Sequence, residues 1–287
     1  KILFYSEHEG WMHIYAINPE GSEVKDLISG ECEVENYDLS TDEKSILVTS
    51  NCEDINRRHI WKVSISSGVT EMLTEKAGIQ TSPVSLANEV IAYREGPATA
   101  PTSAIIHDGK QRVNLVELSN AFPEDQLIAP KAVEFIASDG MNIYGQLFLP
   151  KVTPDGKAPA VIFMHGGPIR QMLMGYHYRG YYANAYIFNQ YLASKGYVVL
   201  SVNYRAGIGY GRDFRRADKQ GPRGAAEYKD ILAAGKYLQG LDEVNPEKIG
   251  LWGGSYGGYL TAMGLAKNSD LFKAGVDLHG VHDWAWR

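Results

Sequence analysis

The 287-residue chain is poor in the features that announce the commonest ligand classes. It has two cysteines, Cys32 and Cys52, too few for a paired-Cys metal framework, and no H-E-x-x-H spacing. No phosphate loop or dinucleotide fingerprint follows a strand. No metal and no cofactor is therefore expected. Lys and Arg number 28 against 34 Asp and Glu, a net charge of −6 without a basic block. Phosphate-backbone binding lacks its electrostatic footprint, and nucleic acid is not an expected partner. No run of about 18 apolar residues appears, so no membrane span is expected. Lys1 to Glu7 lack the charged, apolar and cleavage regions of a signal peptide. What remains is a chain with 44% hydrophobic and 22% charged residues, enough to bury a sizeable core in two domains.

The first 118 residues contain three similar passages, Ile2 to Ser29, Ser45 to Glu75 and Val90 to Glu117. Each opens on a β-rich run (ILFYSE, SILVTS, VIAYRE), crosses a polar loop, resumes (HIYAIN, HIWKVS, SAIIHD) and closes on a third run (EVKDLI, VTEMLT, RVNLVE). Asn18-Pro19-Glu20-Gly21, Ser66-Ser67-Gly68 and Asp108-Gly109 supply the turns between. A period of about 40–45 residues with four short strands per unit is the signature of β-propeller blades; an antiparallel sandwich is the alternative. Propellers close with about four to eight blades, so further blades are expected before Lys1. With the start at Lys and the stop at Trp286-Arg287, the chain is expected to be part of a longer protein.

After the Pro-bearing stretch from Ala121 to Pro130 the pattern changes. Strands are expected at 132–137, 142–149, 159–164, 197–202, 248–252 and 273–278. Helices are expected over Ala183 to Lys195, capped by Gly196, over Ala225 to Gln239, and from the glycine-rich turn to Lys267. Continuous apolar strands alternating with helices define a doubly wound, mostly parallel α/β sheet. The expected domains are thus 1–128, the last blades of a β-propeller, and 129–287, the first part of an α/β-hydrolase domain.

Gly253-Gly254-Ser255-Tyr256-Gly257 spells G-x-S-x-G between an apolar strand and a helix, the context a nucleophile elbow requires. Gly253 and Gly257 keep the crowded turn open, and a helix N-terminus at Ser255 favours developing negative charge. His165-Gly166-Gly167-Pro168 follows the third strand, where the second oxyanion donor belongs. Pro168 has no N–H, so the expected donors are Gly167, or failing that Gly166, together with the Tyr256 amide. His165 precedes the nucleophile and is assigned a structural role.

GLWGGSYGGYLTA at 250–262, FMHGGP at 163–168 and VNYRAGIGYGRDF at 202–214, behind blade-like repeats, resemble the prolyl oligopeptidase family of serine peptidases. The closest likeness is to its acylaminoacyl-peptidase and dipeptidyl-peptidase-IV-like branches. The resemblance implies a propeller-capped α/β-hydrolase, a short peptide or acyl-peptide as substrate, Ser255 as nucleophile and Gly167 with Tyr256 as oxyanion donors. The hydrolase order of nucleophile, acid, then histidine leaves Asp270, Asp277, Asp283, His279 and His282 after Ser255. All lie before or at the end of the sixth strand, so the triad acid and base are expected beyond Arg287, and the chain alone is expected to be inactive. A carboxylesterase and a non-catalytic propeller binding protein are the alternatives. Tyr176, Tyr178, Tyr181, Tyr182 and Tyr186 are read as packing buried against the propeller, with substrate-pocket lining as the alternative, and Arg205 equally as a border of the site or an exposed turn residue. Cys32 and Cys52 fall near cross-strand positions: a disulfide in a periplasmic or secreted protein and two free thiols in a cytosolic one both fit. Homo-oligomerisation is left open.

Overall fold

The structure is a computed structural model and describes residues 1–75, 77–153, 156–222 and 225–285. The terminal Trp286 and Arg287 lie outside the described residues. The chain divides into two units. The first comprises 1–122 with segments 175–178 and 209–213; the second holds the remainder.

The first unit is built of antiparallel strands: β1 (Ile2–Ser6), β2 (His13–Ile17), β3 (Lys25–Asp26), β4 (Val34–Leu39), β5 (Ser45–Ser50), β6 (His59–Ser64), β7 (Thr70–Met72), β8 (Ile79–Ser85), β9 (Ile91–Gly96), β10 (Ser103–His107) and β11 (Arg112–Asn114). They form three meandering sheets, β1-β2-β3, β4-β5-β6-β7 and β8-β9-β10-β11. The repeated runs of the sequence are the last three strands of each blade-like sheet. The outer strands β4 and β8 lie between the repeats. β8 is hard to read because Pro83 lacks an N–H and Ser82 adopts φ 56°, which shifts its register with β9 between Thr81 and Val84. Ile14, Leu27, Val34, Ile46, Val48 and Val63 pack one apolar cluster, and Leu47, Ile60, Ile91, Tyr93 and Ile105 another. Cys32 and Cys52 are disulfide-bonded, with Cα atoms 4.8 Å apart beside the Val34–Ser50 end of the β4–β5 pair. Within this unit the Glu33 carboxylate accepts from the Gly209 and Gly211 amides at 2.9 and 3.0 Å, anchoring the returning segment.

The second unit contains one six-stranded sheet of β12 (Lys131–Ile136), β13 (Asn142–Phe148), β14 (Ala158–Met164), β15 (Val198–Asn203), β16 (Val244–Gly254) and β17 (Phe272–Leu278), in the order β12-β13-β15-β14-β16-β17. β14 to β17 run parallel, with an antiparallel β12–β13 hairpin on one edge. All six residues of β15 are buried, as a strand covered on both faces demands. Helices α1 (Gly180–Ser194), α2 (Arg212–Arg215), α3 (Glu227–Gln239) and α4 (Tyr256–Lys267) complete the described elements. The crossover helix α1 ends where Gly196 takes φ 89°, the left-handed conformation that lets the chain turn into β15.

Candidate active site

Strand β16 runs into α4 through Ser255, whose φ of 56° and ψ of −118° fall in a sparsely populated region for a residue with a Cβ. The turn is over-determined by its neighbours. The Ser255 amide donates to the Leu278 carbonyl at 3.0 Å, while its own carbonyl accepts from Tyr259 at 3.1 Å and Val281 at 3.4 Å. The flanking glycines are needed for space: a Cβ on Gly253 would stand 2.6 Å from the Met164 carbonyl oxygen, and one on Gly257 would run into the same carbonyl. The elbow thus sits directly against the end of β14, and the side chain of Ser255 projects half-buried at the sheet's C-terminal edge.

The loop leaving β14 meets the elbow at Gly166. A Cβ there would stand 3.2 Å from Ser255 Cβ and 3.1 Å from the Gly254 carbonyl oxygen. Gly167 follows with φ 125°, a conformation open to glycine, and its amide has no backbone acceptor among the described residues. The Tyr256 amide, first in α4, is one of the four that a helix leaves unpaired. Both expected donors are therefore free and lie on the two segments that meet at Ser255. The Tyr256 phenol donates to the buried Glu227 carboxylate at 3.1 Å, which holds this residue in place.

His165 is completely buried. Its Nδ1–H donates to the Gly166 carbonyl at 3.0 Å, its ring stacks on Tyr204 at 4.3 Å, and Tyr204 donates to the His165 carbonyl at 2.7 Å. Burial pushes its pKa down to about 4, so the ring is neutral at physiological pH and braces the loop.

After the elbow, His282 pairs with Asp277 at 2.6 Å rather than with the adjacent Asp283, which accepts from the Ala285 amide. Asp277 also accepts from the Gly280 amide at 2.8 Å, so acid and histidine close a short loop packed against Gly258 in the first turn of α4. Among the described residues none hydrogen-bonds the Ser255 hydroxyl, and the His279 ring stands beside the elbow, with Cε1 3.4 Å from where a Cβ on Gly254 would be. Arg205 is not the exposed turn residue of one of its two readings. It is 3% exposed and chelates Asp139 twice at 2.8 Å and Asp230 at 2.6–3.0 Å, an interior clamp between the β12–β13 turn and α3. The tyrosine run is also not uniform. Tyr176, Tyr182 and Tyr186 are buried, but Tyr181 is 45% exposed with its hydroxyl over Gly254, within 6.5 Å of the His279 ring. Tyr256, Tyr259 and Trp284 form an aromatic group beyond it, with centroids 5.5–6.0 Å apart. No signal in the sequence separates Tyr181 from its buried neighbours.

A strained serine at a strand-to-helix turn, facing a glycine loop with free amides, is the constellation of an α/β-hydrolase that works through a serine nucleophile. Residues 184–286 match the prolyl oligopeptidase family, and residues 1–96 match the dipeptidyl peptidase IV (DPP IV) N-terminal region. The chain belongs to the prolyl oligopeptidase family of serine peptidases. It is 34% identical over 201 residues to a dipeptidyl aminopeptidase BIII from Pseudoxanthomonas mexicana, covering 67% of this chain and 27% of that protein. It is 31% identical over 300 residues to a probable dipeptidyl peptidase 4 from Emericella nidulans, covering 97% of this chain and 37% of that protein. Among solved structures it is similar to the Pyrococcus horikoshii acylaminoacyl peptidase, with a TM-score of 0.74 and 26% identity over 99% of this chain and 44% of that one. The chain thus spans well under half the length of these relatives. Among the described residues no helix is long and apolar enough to cross a membrane.

Proposed function

We propose that the whole protein is a serine peptidase that hydrolyses short peptides or acyl-peptides, and that Ser255 is its nucleophile. Residues 1–128 contribute blades of a propeller and 129–287 the first part of the catalytic domain. Ser255 Oγ attacks the scissile carbonyl while a histidine takes its proton; the amine leaves and water releases the acyl group. Gly167 and Tyr256 donate their amides to the tetrahedral oxyanion, a stabilisation worth about 3–4 kcal/mol per donor in related chemistry. The acid and base are assigned to the chain beyond residue 287, a reading supported by the absence of any hydrogen bond from a described histidine to Ser255.

The observation that carries this reading is the approach of Gly166 to Ser255, which brings a glycine loop with an unpaired amide against the strained elbow. The test is a fluorophosphonate probe applied to the full-length enzyme. Ser255 should be the labelled serine, and Ser255→Ala should lose both labelling and turnover of a short peptide while melting as a folded protein. Labelling that persists in Ser255→Ala would overturn the assignment.

A further inference from the structure

Outside the candidate active site, three titratable side chains of the first unit converge on one face of the β1-β2-β3 sheet. Tyr15 stands directly opposite Asp26 in the β2–β3 pair, and strand alternation puts His13 on the same face as Tyr15. Glu9 reaches the group from the turn between β1 and β2. One donor atom each from Glu9, His13 and Asp26 lies within 4.8 Å of the other two.

The hydrogen bonds around His13 orient its ring. Its Nε2 is 2.9 Å from the Gly30 carbonyl, which only accepts, so that nitrogen carries a hydrogen. Its other nitrogen, Nδ1, stands 3.0 Å from Asp26 Oδ2. Asp26 is held in turn, because its Oδ1 accepts from the Ile28 amide at 3.1 Å and leaves Oδ2 for His13. A histidine whose far nitrogen is tied to a carbonyl and a carboxylate whose far oxygen is tied to an amide are ligands oriented from behind. Bonds of about 2.1 Å to a first-row ion set adjacent donors roughly 3.0–3.4 Å apart, the spacing of this pair.

A second observation stands apart from these bonds. Tyr15 is 3% exposed, on the same face as both ligands, and its hydroxyl has no partner among the described residues. Leaving a buried hydroxyl unpaired is unfavourable. A water held on an ion between Glu9, His13 and Asp26 supplies the acceptor that Tyr15 lacks.

We propose that Glu9, His13 Nδ1 and Asp26 bind a divalent first-row cation of the zinc class, with Tyr15 donating to a water on the ion. Two carboxylates balance the dication, and the imidazole selects zinc over calcium or magnesium. The spacing search misses this site because its ligands come from a turn, a strand and the neighbouring strand. The ion would tie the β1–β2 turn to β3 and stabilise the first sheet, independently of Ser255.

The test uses the full-length protein freed of metal by a chelator, titrated with Zn2+ against a chromophoric indicator and then melted. One equivalent should bind, with a rise in melting temperature on adding Zn2+. Glu9→Gln and Asp26→Asn should each weaken binding at least tenfold and lose the melting shift. Tyr15→Phe should weaken binding by about tenfold, the usual effect of removing an outer partner. Glu9 is exposed, so Glu9→Gln leaves the fold intact even where a variant of buried His13 does not. Zn2+ uptake by wild type that equals uptake by Glu9→Gln would overturn the proposal and leave His13 and Asp26 as a proton-bridged pair. Calcium bound as tightly as zinc would overturn the assigned class.

Discussion

Gly166 and Ser255 lie in contact across the gap between the β14 loop and the elbow: a methyl group on Gly166 would stand 3.2 Å from Ser255 Cβ. That separation is tighter than ordinary packing, so a methyl group there obliges the neighbours to give by a few tenths of an ångström. Gly166→Ala should therefore leave the full-length protein folded and shift Ser255 relative to the oxyanion donors. A displacement of that size is expected to lower kcat by about 10- to 100-fold with a smaller change in KM. Steady-state kinetics beside a melting curve checks this; unchanged kcat would show that the loop does not set the geometry of the nucleophile.

Arg205 anchors the interior by pairing with Asp139 and Asp230. Burial pushes Asp230 up to about 6 against the pull of Arg205, and the Arg205 guanidinium holds the more exposed Asp139 well below the usual carboxylate range. Arg205→Ala leaves Asp230 without a counter-charge at 0% exposure, and the expected loss is about 3–5 kcal/mol of stability. The double variant Arg205→Met, Asp230→Leu should recover most of that loss in a denaturant titration, because no unpaired charge is left behind. A single variant as stable as wild type would show the clamp to be dispensable.

His165 gives the fold an acid-sensitive element. Its folded pKa is about 4, below the roughly 6.5 of an unfolded histidine, so the unfolded chain takes up the proton first. The contribution is fully present above pH 6.5 and is lost as pH falls towards 4, on the order of 3 kcal/mol by the end of that window. Asp230 acts in the opposite sense between its unfolded value and about 6, because there the folded state binds the proton more tightly. Comparing His165→Leu with wild type isolates the histidine. The variant should be less stable at pH 7 but lose less stability between pH 6.5 and 4; parallel slopes would contradict the assignment.

Ser255, Asp277 and His282 follow one another in the chain order of a hydrolase triad, which makes the Asp277–His282 pair worth testing directly. In the structure that pair closes the loop packed against Gly258 of α4 and leaves the Ser255 hydroxyl without a partner among the described residues. His282→Ala in the full-length enzyme should keep kcat/KM within about tenfold of wild type. A fall of about 10⁴-fold or more would identify His282 as the general base instead.

What could be read in the residues was what is local. The six strands of the hydrolase sheet, its three longer helices and the elbow follow from apolar runs, helical spacing and small residues at fixed offsets, and each element lies within a few residues of its expected place. Cys32 and Cys52 were legible as neighbours because one hairpin joins them. The partners of Arg205 were not, since Asp139 and Asp230 lie 66 and 25 positions away and only the folded domain brings both to one guanidinium. The same holds for Tyr181, whose first-turn position on α1 is indistinguishable in sequence from that of Tyr182, yet one side chain covers the elbow and the other is buried.

The backbone conformation at Ser255 sets fold and chemistry at odds. A residue carrying a Cβ at φ 56° and ψ −118° raises the energy of the native state by about 1–3 kcal/mol, and glycine would relieve most of it. Selection for stability alone would therefore erase the hydroxyl, and a screen for heat-resistant variants that ignored turnover would tend to recover Ser255→Gly. The serine persists at this position only while something other than stability is being selected, and thermal robustness in this protein has to be sought away from the β16–α4 turn.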